Sequence, residues 1–365
     1  MDLRRLFSRR RQAILAVAGI ALFCIFLLAL GIDPATLAET VSKIDPRYVP
    51  LALAVDVGFI LSFALAWFFL VKAICPEAGL REVVATAIMG WFGDMLVPAA
   101  FVTGEAVRLL LLRELYGLEV SKAAAAAVVH RLLSALAFAL FICTGILMST
   151  ASGRHVSREI LDQGLLVVAL ASAAIVLGVL VLANVERVER VSAEIARRLE
   201  RASGRMRRAR LEERVGRFFA SFKQALELMK SDKKAVFMCF AAMLVQWTLG
   251  ASIPYVFFLS LGEPVSFWLL AIAFPIYGLV DNIPVGIPAN AGVLDVAMAS
   301  TFILLGISKE AATAATILTR TVTVLFELAF TGLTTLVCAP RLLKGGVERI
   351  LGRERGAPEL GLEGP

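Results

Sequence analysis

The fold class predicted is an all-α, polytopic helical membrane protein, and three observations predict it. Of the 365 residues, 59% are hydrophobic and only 18% charged, with a mean hydropathy of +0.81. Soluble domains run at ~45–50% apolar and ~25% charged. The apolar residues gather in blocks of about twenty, the length a helix needs to cross the hydrocarbon of a bilayer. The net charge of +7 is carried by residues between the blocks, and its bases favour one side of the alternation.

The first block, residues 13–30, follows Arg4, Arg5, Arg9, Arg10 and Arg11 and has no convincing small-x-small cleavage site. It reads as a signal anchor rather than a removed leader. The second block covers residues 49–71, with Asp56 near its start, where an interfacial position is expected. Residues 83–112 are apolar but broken by Gly90, Gly93, Asp94, Pro98, Gly104, Glu105 and Arg108. Full spans follow at 123–148 and 165–183, then a charged segment at 184–234 and a span at 235–259. A second broken region, 267–305, holds Pro275, Gly278, Asp281, Pro284, Gly286, Pro288, Gly292 and Asp295. Residues 311–339 form the last span.

Lysine and arginine counts set the orientation. With the N-terminus, residues 72–81, 104–122, 184–234 and the tail in the cytoplasm, 30 of the 37 bases fall there. The bias survives removal of the long charged segment. The segments on the outer side are poor in bases: 31–48 and 149–164 carry only Lys43, Arg47, Arg154 and Arg158. The expectation is six full spans plus two broken re-entrant regions in the cytoplasmic membrane, with both termini cytoplasmic. Residues 1–183 form one membrane half, 184–234 a connector, 235–340 the other half and 341–365 a tail.

In the connector, Val185, Val188, Val191, Ile195 and Leu199 recur at helical steps, as do Val215, Phe218, Phe219, Phe222, Leu226 and Met229. Each series is an apolar stripe on a charged helix. It suits the membrane surface or the side of the bundle, and a grip on anionic lipid is a second reading. Nucleic acid is not expected as a partner.

The two broken regions repeat one spacing. Pro98 precedes Glu105 by seven residues, and Gly117 precedes Arg131 by fourteen. Pro288 precedes Asp295 by seven, and Gly306 precedes Arg320 by fourteen. Duplication and coincidence both fit these intervals. The orientation count starts the Arg131 span at the cytoplasmic side and the Arg320 span at the outer side. A duplication would therefore be inverted, an architecture of many secondary transporters. Irregular backbone at membrane depth survives only where buried in protein or facing water. A half-helix N-terminus there offers free N–H groups and partial positive charge to a phosphate or carboxylate.

Arg131 and Arg320 lie about eight residues into their spans, or ~12 Å at 1.5 Å per residue. Ionisable groups there face the bundle or a watery path and have partners. Headgroup contact is one role; an ion pair, Arg131 with Glu105 and Arg320 with Asp295, is the other. Glu327 lies seven residues beyond Arg320, where it could carry protons or pair with that arginine; Phe138 stands at the equivalent place in the first arm. Asp94, Asp281 and Asn282 fit helix capping or substrate contact. Glu105 and Arg108 fit a helix-start pair or a functional one, and His130 fits packing. Pro98, Gly104, Pro288 and Gly292 are candidates through the backbone they shape.

Nothing in the sequence calls for a cofactor or metal. Cys24, Cys75, Cys143, Cys239 and Cys338 form no Cys-x-x-Cys, and there are two histidines. Signatures of Ser hydrolases, zinc proteases and P-loop enzymes are missing, so transport is favoured over catalysis.

The stretch from Pro98 through Gly104, Glu105 and Arg108 to Gly117 and Arg131 resembles a motif of a known family, and that from Pro288 through Gly292 and Asp295 to Gly306 and Arg320 resembles its second. The family is the lysylphosphatidylglycerol synthase transmembrane, or flippase-like, family of integral membrane proteins, and the resemblance covers roughly residues 10–340. It includes the membrane half of enzymes that aminoacylate phosphatidylglycerol and move the product across the bilayer. The resemblance implies a translocase for a lipid or lipid-linked substrate. Two further readings stand beside it: a membrane-embedded enzyme or accessory subunit of lipid, hopanoid or glycolipid biosynthesis, and a non-catalytic scaffold. The partners implied are anionic or polyprenyl-linked lipids, with a homo-oligomer or a biosynthetic enzyme as further options. The sequence departs from the family in having Asp295 where Glu is frequent and His130 before Arg131. It shows no aminoacyl-transferase domain, so lysyl transfer is not carried over.

Overall fold

Unpaired backbone N–H and C=O groups are costly in hydrocarbon, so each apolar block has to close its own hydrogen bonds as a helix. The computed structural model describes Ile25 and residues 34–97, 102–153, 158–203, 208–281, 283 and 287–355. Apart from Ile25, the span expected at 13–30 lies outside these residues, as do Pro98, Asn282, Pro284 and Gly286.

A short helix α1 (Pro34–Ser42) leads into α2 (Tyr48–Ile74). The Lys72 ammonium closes the end of α2 by donating to the carbonyls of Pro76 at 2.5 Å and Ala78 at 3.1 Å. The first broken region forms α3 (Leu80–Leu96) and α4 (Val102–Tyr116). Two long helices follow, α5 (Val120–Ala151) and α6 (Arg158–Ala183). The connector is a helical pair, α7 (Val185–Ser203) and α8 (Arg208–Ser231). Next is α9 (Lys233–Ser260). The second broken region forms α10 (Phe267–Asp281), a 3-10 turn at Pro288–Asn290, and α11 (Val293–Leu304). The block expected as one span at 311–339 is α12 (Lys309–Arg320), a wide π turn (Thr321–Phe326) and α13 (Glu327–Arg355), and helix continues into the expected tail.

Five helices among the described residues are long and apolar enough to cross a bilayer: α2, α5, α6, α9 and the stretch Lys309–Pro340. The main core joins Trp67, Leu70 and Val71 of α2 to Leu112 and Leu115 of α4 and Met243 of α9. A second cluster joins Phe258 of α9, Leu270 of α10, Met298 and Phe302 of α11. Helix α6 turns Leu165, Leu166, Leu170 and Leu177 outward, as expected of a lipid-facing helix. In the connector, Lys223 pairs with Glu189 and Arg197 with Glu212, each at 2.7 Å, holding α8 on α7. Ala225 and Met229 of α8 enter the main core, so the connector leans on the bundle. Val191, Ile195 and Phe218 stay exposed.

Helices α3 and α4 approach at two glycines. A Cβ on Gly104 would meet the Gly90 carbonyl oxygen at 2.6 Å, and one on Gly90 would meet the Gly104 carbonyl oxygen at 2.8 Å. Only residues without a side chain allow this contact, and it folds the first broken region back on itself.

Candidate functional site

Each break delivers a carboxylate to the first turn of a half-helix, Glu105 in α4 and Asp295 in α11. Each carboxylate meets an arginine from the helix that follows. In the first arm, Arg131 of α5 donates from Nε to Glu105 Oε1 at 2.9 Å. In the second, Arg320 of α12 donates from Nε to Asp295 Oδ1 at 3.1 Å.

The two arms hold these pairs differently. Asp94 of α3 accepts the Gly104 N–H at 2.7 Å, which satisfies one of the orphan donors that open α4. Glu105 takes a second guanidinium, that of Arg108, at 2.6 Å. Arg108 is buried, with its guanidinium carbon 4.5 Å from the Trp67 ring centre and 5.0 Å from that of Phe63. Met298 stands at the equivalent place in the second arm. There Asp295 caps its own helix, accepting the Gly292 N–H at 2.6 Å. Gly292 has φ +82, the left-handed region that glycine adopts without penalty. Ala289 (φ 50) and Asn290 (φ 49) hold the same region without that freedom. The strained turn aims the Ala289 carbonyl at Arg320, whose Nη2 donates to it at 2.5 Å.

Between the arms lies a cavity of about 480 Å³, within the range of small-molecule sites. Arg131, Arg320, Asp94, Asn290, Trp91 and Glu327 line it, and Phe59, Phe63, Trp247 and Phe274 supply apolar wall. The Arg131 side chain is 40% exposed and that of Arg320 12%. The cavity thus has cationic groups from both halves and a largely aromatic surround.

Glu327 does not follow the simple seven-residue relation to Arg320. The π turn lies between them, and the Glu327 carboxylate accepts the indole N–H of Trp91 at 2.6 Å. π turns recur at functional sites because they re-aim side chains out of the α-helical register. Asp56, expected near the interface end of its span, is fully buried among the helices. Its carboxyl lies within hydrogen-bonding reach of Glu327. Among the described residues, no N–H or O–H group is seen to donate to either Asp56 oxygen.

Over residues 13–330 the sequence matches the family described as "Lysylphosphatidylglycerol synthase TM region". The chain belongs to that family. The match takes in both helix breaks and the connector. Similar proteins include two, each named "UPF0104 membrane protein", from Methanothermobacter thermautotrophicus. One is 25% identical over 312 residues, covering 86% of this chain and 91% of the relative. The other is 22% identical over 320 residues, covering 86% and 89%. A UPF0104 membrane protein of Pyrococcus horikoshii is 22% identical over 322 residues, covering 85% and 92%.

In this member of the lysylphosphatidylglycerol synthase membrane family, Asp94, Arg131, Arg320 and Glu327 face the cavity, with Glu105 and Asp295 holding the arginines. Gly104 lies at the close approach of α3 and α4, Pro288 opens the 3-10 turn, and Gly292 takes the positive φ that precedes α11. Arg108 is not part of the cavity lining; it anchors Glu105 from the core side. His130, at the cavity edge, packs edge-on against Phe63 and Trp67, with ring centres 5.2 and 5.7 Å away. Asp281 is the last residue of α10. Asp56, Trp91 and Asn290 were not singled out for the site by sequence. For Asp56 the available signal was a lone carboxylate inside a 27-residue apolar helix.

Trp91→Phe keeps the ring's bulk and removes the hydrogen bond to Glu327. The expected loss is about 1–2 kcal/mol, read as a lower unfolding midpoint in detergent.

Proposed function

We propose that the protein translocates a lipid or lipid-linked substrate with an anionic headgroup across the cytoplasmic membrane. One observation carries the reading: guanidinium groups from both broken-helix arms, Arg131 and Arg320, line a single cavity with aromatic walls. Planar guanidinium groups suit phosphate and carboxylate oxygens, and the apolar walls suit the part of a lipid next to its headgroup.

An inverted repeat is part of this reading. It is supported by the matched carboxylate–arginine pairs and by two glycines with positive φ. Gly117 (φ 65) and Gly306 (φ 84) each follow a half-helix, fourteen residues before the arginine. Rocking of the arms about a shared site would open the cavity to one face and then the other.

The test is headgroup translocation in proteoliposomes. Fluorescently labelled phosphatidylglycerol is the probe, and labelled phosphatidylcholine, zwitterionic and net neutral, is the comparison. Arg131→Ala is the first variant, because a 40% exposed side chain can be removed with little loss of fold. The expected result is faster phosphatidylglycerol movement than in empty liposomes, reduced at least ~10-fold in the variant, which corresponds to about 1.4 kcal/mol of lost stabilisation. Equal rates in wild type and Arg131→Ala, with both proteins folded, would remove the proposed site.

A further inference from the structure

We infer that Asp56 of α2 and Glu327 at the start of α13 share one proton and form a proton-binding site in the wall of the central cavity. Asp56 is 0% exposed and Glu327 4%, and their carboxyl groups lie within hydrogen-bonding reach of each other. A carboxylate has no proton to donate, so two ionised groups cannot make that bond. Two negative charges this close in a low-dielectric setting repel strongly. One proton between them replaces the repulsion with a charge-assisted O–H···O bond. The Asp56 oxygens receive no observed donor among the described residues, so the neighbouring acid is the group that can complete the bond.

The surrounding charges leave this role to the pair. Arg320, on the same long helical stretch, is engaged by Asp295 and the Ala289 carbonyl. Arg131 of α5 is engaged by Glu105. Asp94 of α3 accepts from Gly104, and His130 of α5 packs on Phe63 and Trp67. Helix α9 carries no charged residue between Lys234 and its end, and the other charged residue of α2, Lys72, lies sixteen residues beyond Asp56.

Access and linkage are built in. Glu327 lines the cavity, so a proton arriving there passes one hydrogen bond inward to reach Asp56. Trp91 ties Glu327 to α3, the helix that runs into the first break. Displacement of that arm would pull on the acid pair. A bound proton also offsets negative charge next to the cavity when an anionic headgroup enters it. Coupling of proton release to transport rests on the translocase reading; proton binding itself does not.

The test is pH-titrated infrared difference spectroscopy on the full chain in liposomes, with wild type, Asp56→Asn and Glu327→Gln. The amide replaces the shared proton as donor, so both variants should stay folded, with unfolding midpoints within a few degrees of wild type. Wild type should show a protonated carboxyl band near neutral pH, absent from both variants and unchanged when sodium replaces potassium. A wild type without the band, or a band that persists in both variants, overturns the inference. Loss of the band with sodium also overturns it, in favour of a cation site. The second arm uses labelled phosphatidylglycerol under an imposed pH gradient. Acceleration in wild type, lost in Asp56→Asn, supports coupling, and wild-type movement indifferent to the gradient overturns it. A carboxyl band with no lipid movement at all rejects the translocase reading while upholding the proton site.

Discussion

Gly104→Ala is expected to lower stability by about 3 kcal/mol or more, at the upper end of what an overpacked contact costs. The reason is the close meeting of α3 with α4. The new Cβ would stand 2.6 Å from the Gly90 carbonyl oxygen and even closer to the Asp94 carboxylate. Backbone cannot swing aside as a flexible side chain can, so the two helices have to separate. Separation breaks the Asp94 cap on the Gly104 N–H, a bond of 2.7 Å, and caps are worth ~1 kcal/mol themselves. It also displaces Glu105, and with it Arg131. Gly93→Ala is the matched control. Its Cβ would meet Val107 Cγ2 at 3.4 Å and Thr103 Cγ2 at 3.6 Å, ordinary van der Waals distances. Helix propensity favours alanine over glycine by ~1 kcal/mol, so Gly93→Ala should be neutral to mildly stabilising. Unfolding midpoints in detergent separate the two variants, and equal midpoints would contradict the close approach.

Arg320→Ala is expected to cost about 3 kcal/mol and to abolish transport. Arg320 is 12% exposed and its partner Asp295 14%, so this ion pair is far less screened than a surface pair. Removing one partner of such a pair leaves the other charge uncompensated, and the loss runs to ~3–5 kcal/mol when burial is complete. Here Asp295 keeps the Gly292 N–H, which holds the loss to the lower end. The Ala289 carbonyl loses its donor, so the left-handed turn at Ala289 and Asn290 loses a restraint. Arg320→Lys separates charge from geometry. Lysine restores a cation but cannot reach Asp295 and Ala289 together with a planar fork. It should recover part of the stability and little of the transport. Full transport in Arg320→Lys would show that charge alone suffices.

Much of the membrane architecture was legible because hydropathy acts over whole blocks. A run of about twenty apolar residues can only be a helix in a bilayer, whatever its partners. The carboxylate–arginine pairs were legible for a different reason. The seven- and fourteen-residue intervals recur, and polar side chains in apolar surroundings need partners. The role of Asp56 was hidden. Its neighbour Glu327 lies 271 residues away, and proximity of that kind leaves no periodic trace in a sequence. Position within the helix suggested an interface, whereas packing of α2 inside the bundle buries it. No spacing in the sequence marks Trp91, whose N–H finds Glu327 across the fold. The π turn at Thr321–Phe326 was equally silent, since its residues are good formers of an ordinary membrane helix.

A translocase of this design opens its cavity to each face of the membrane in turn, and a single cysteine in the cavity wall reads that exposure. Ser134 lines the cavity on α5, three residues beyond Arg131. Ser134→Cys, in a background with the five native cysteines replaced, would be reacted in proteoliposomes with a membrane-impermeant maleimide supplied on one side and then the other. Labelling from both sides is the predicted result, with the balance shifted by Arg320→Ala because that variant loosens one arm. Labelling from one side only, unaltered by Arg320→Ala, would contradict it.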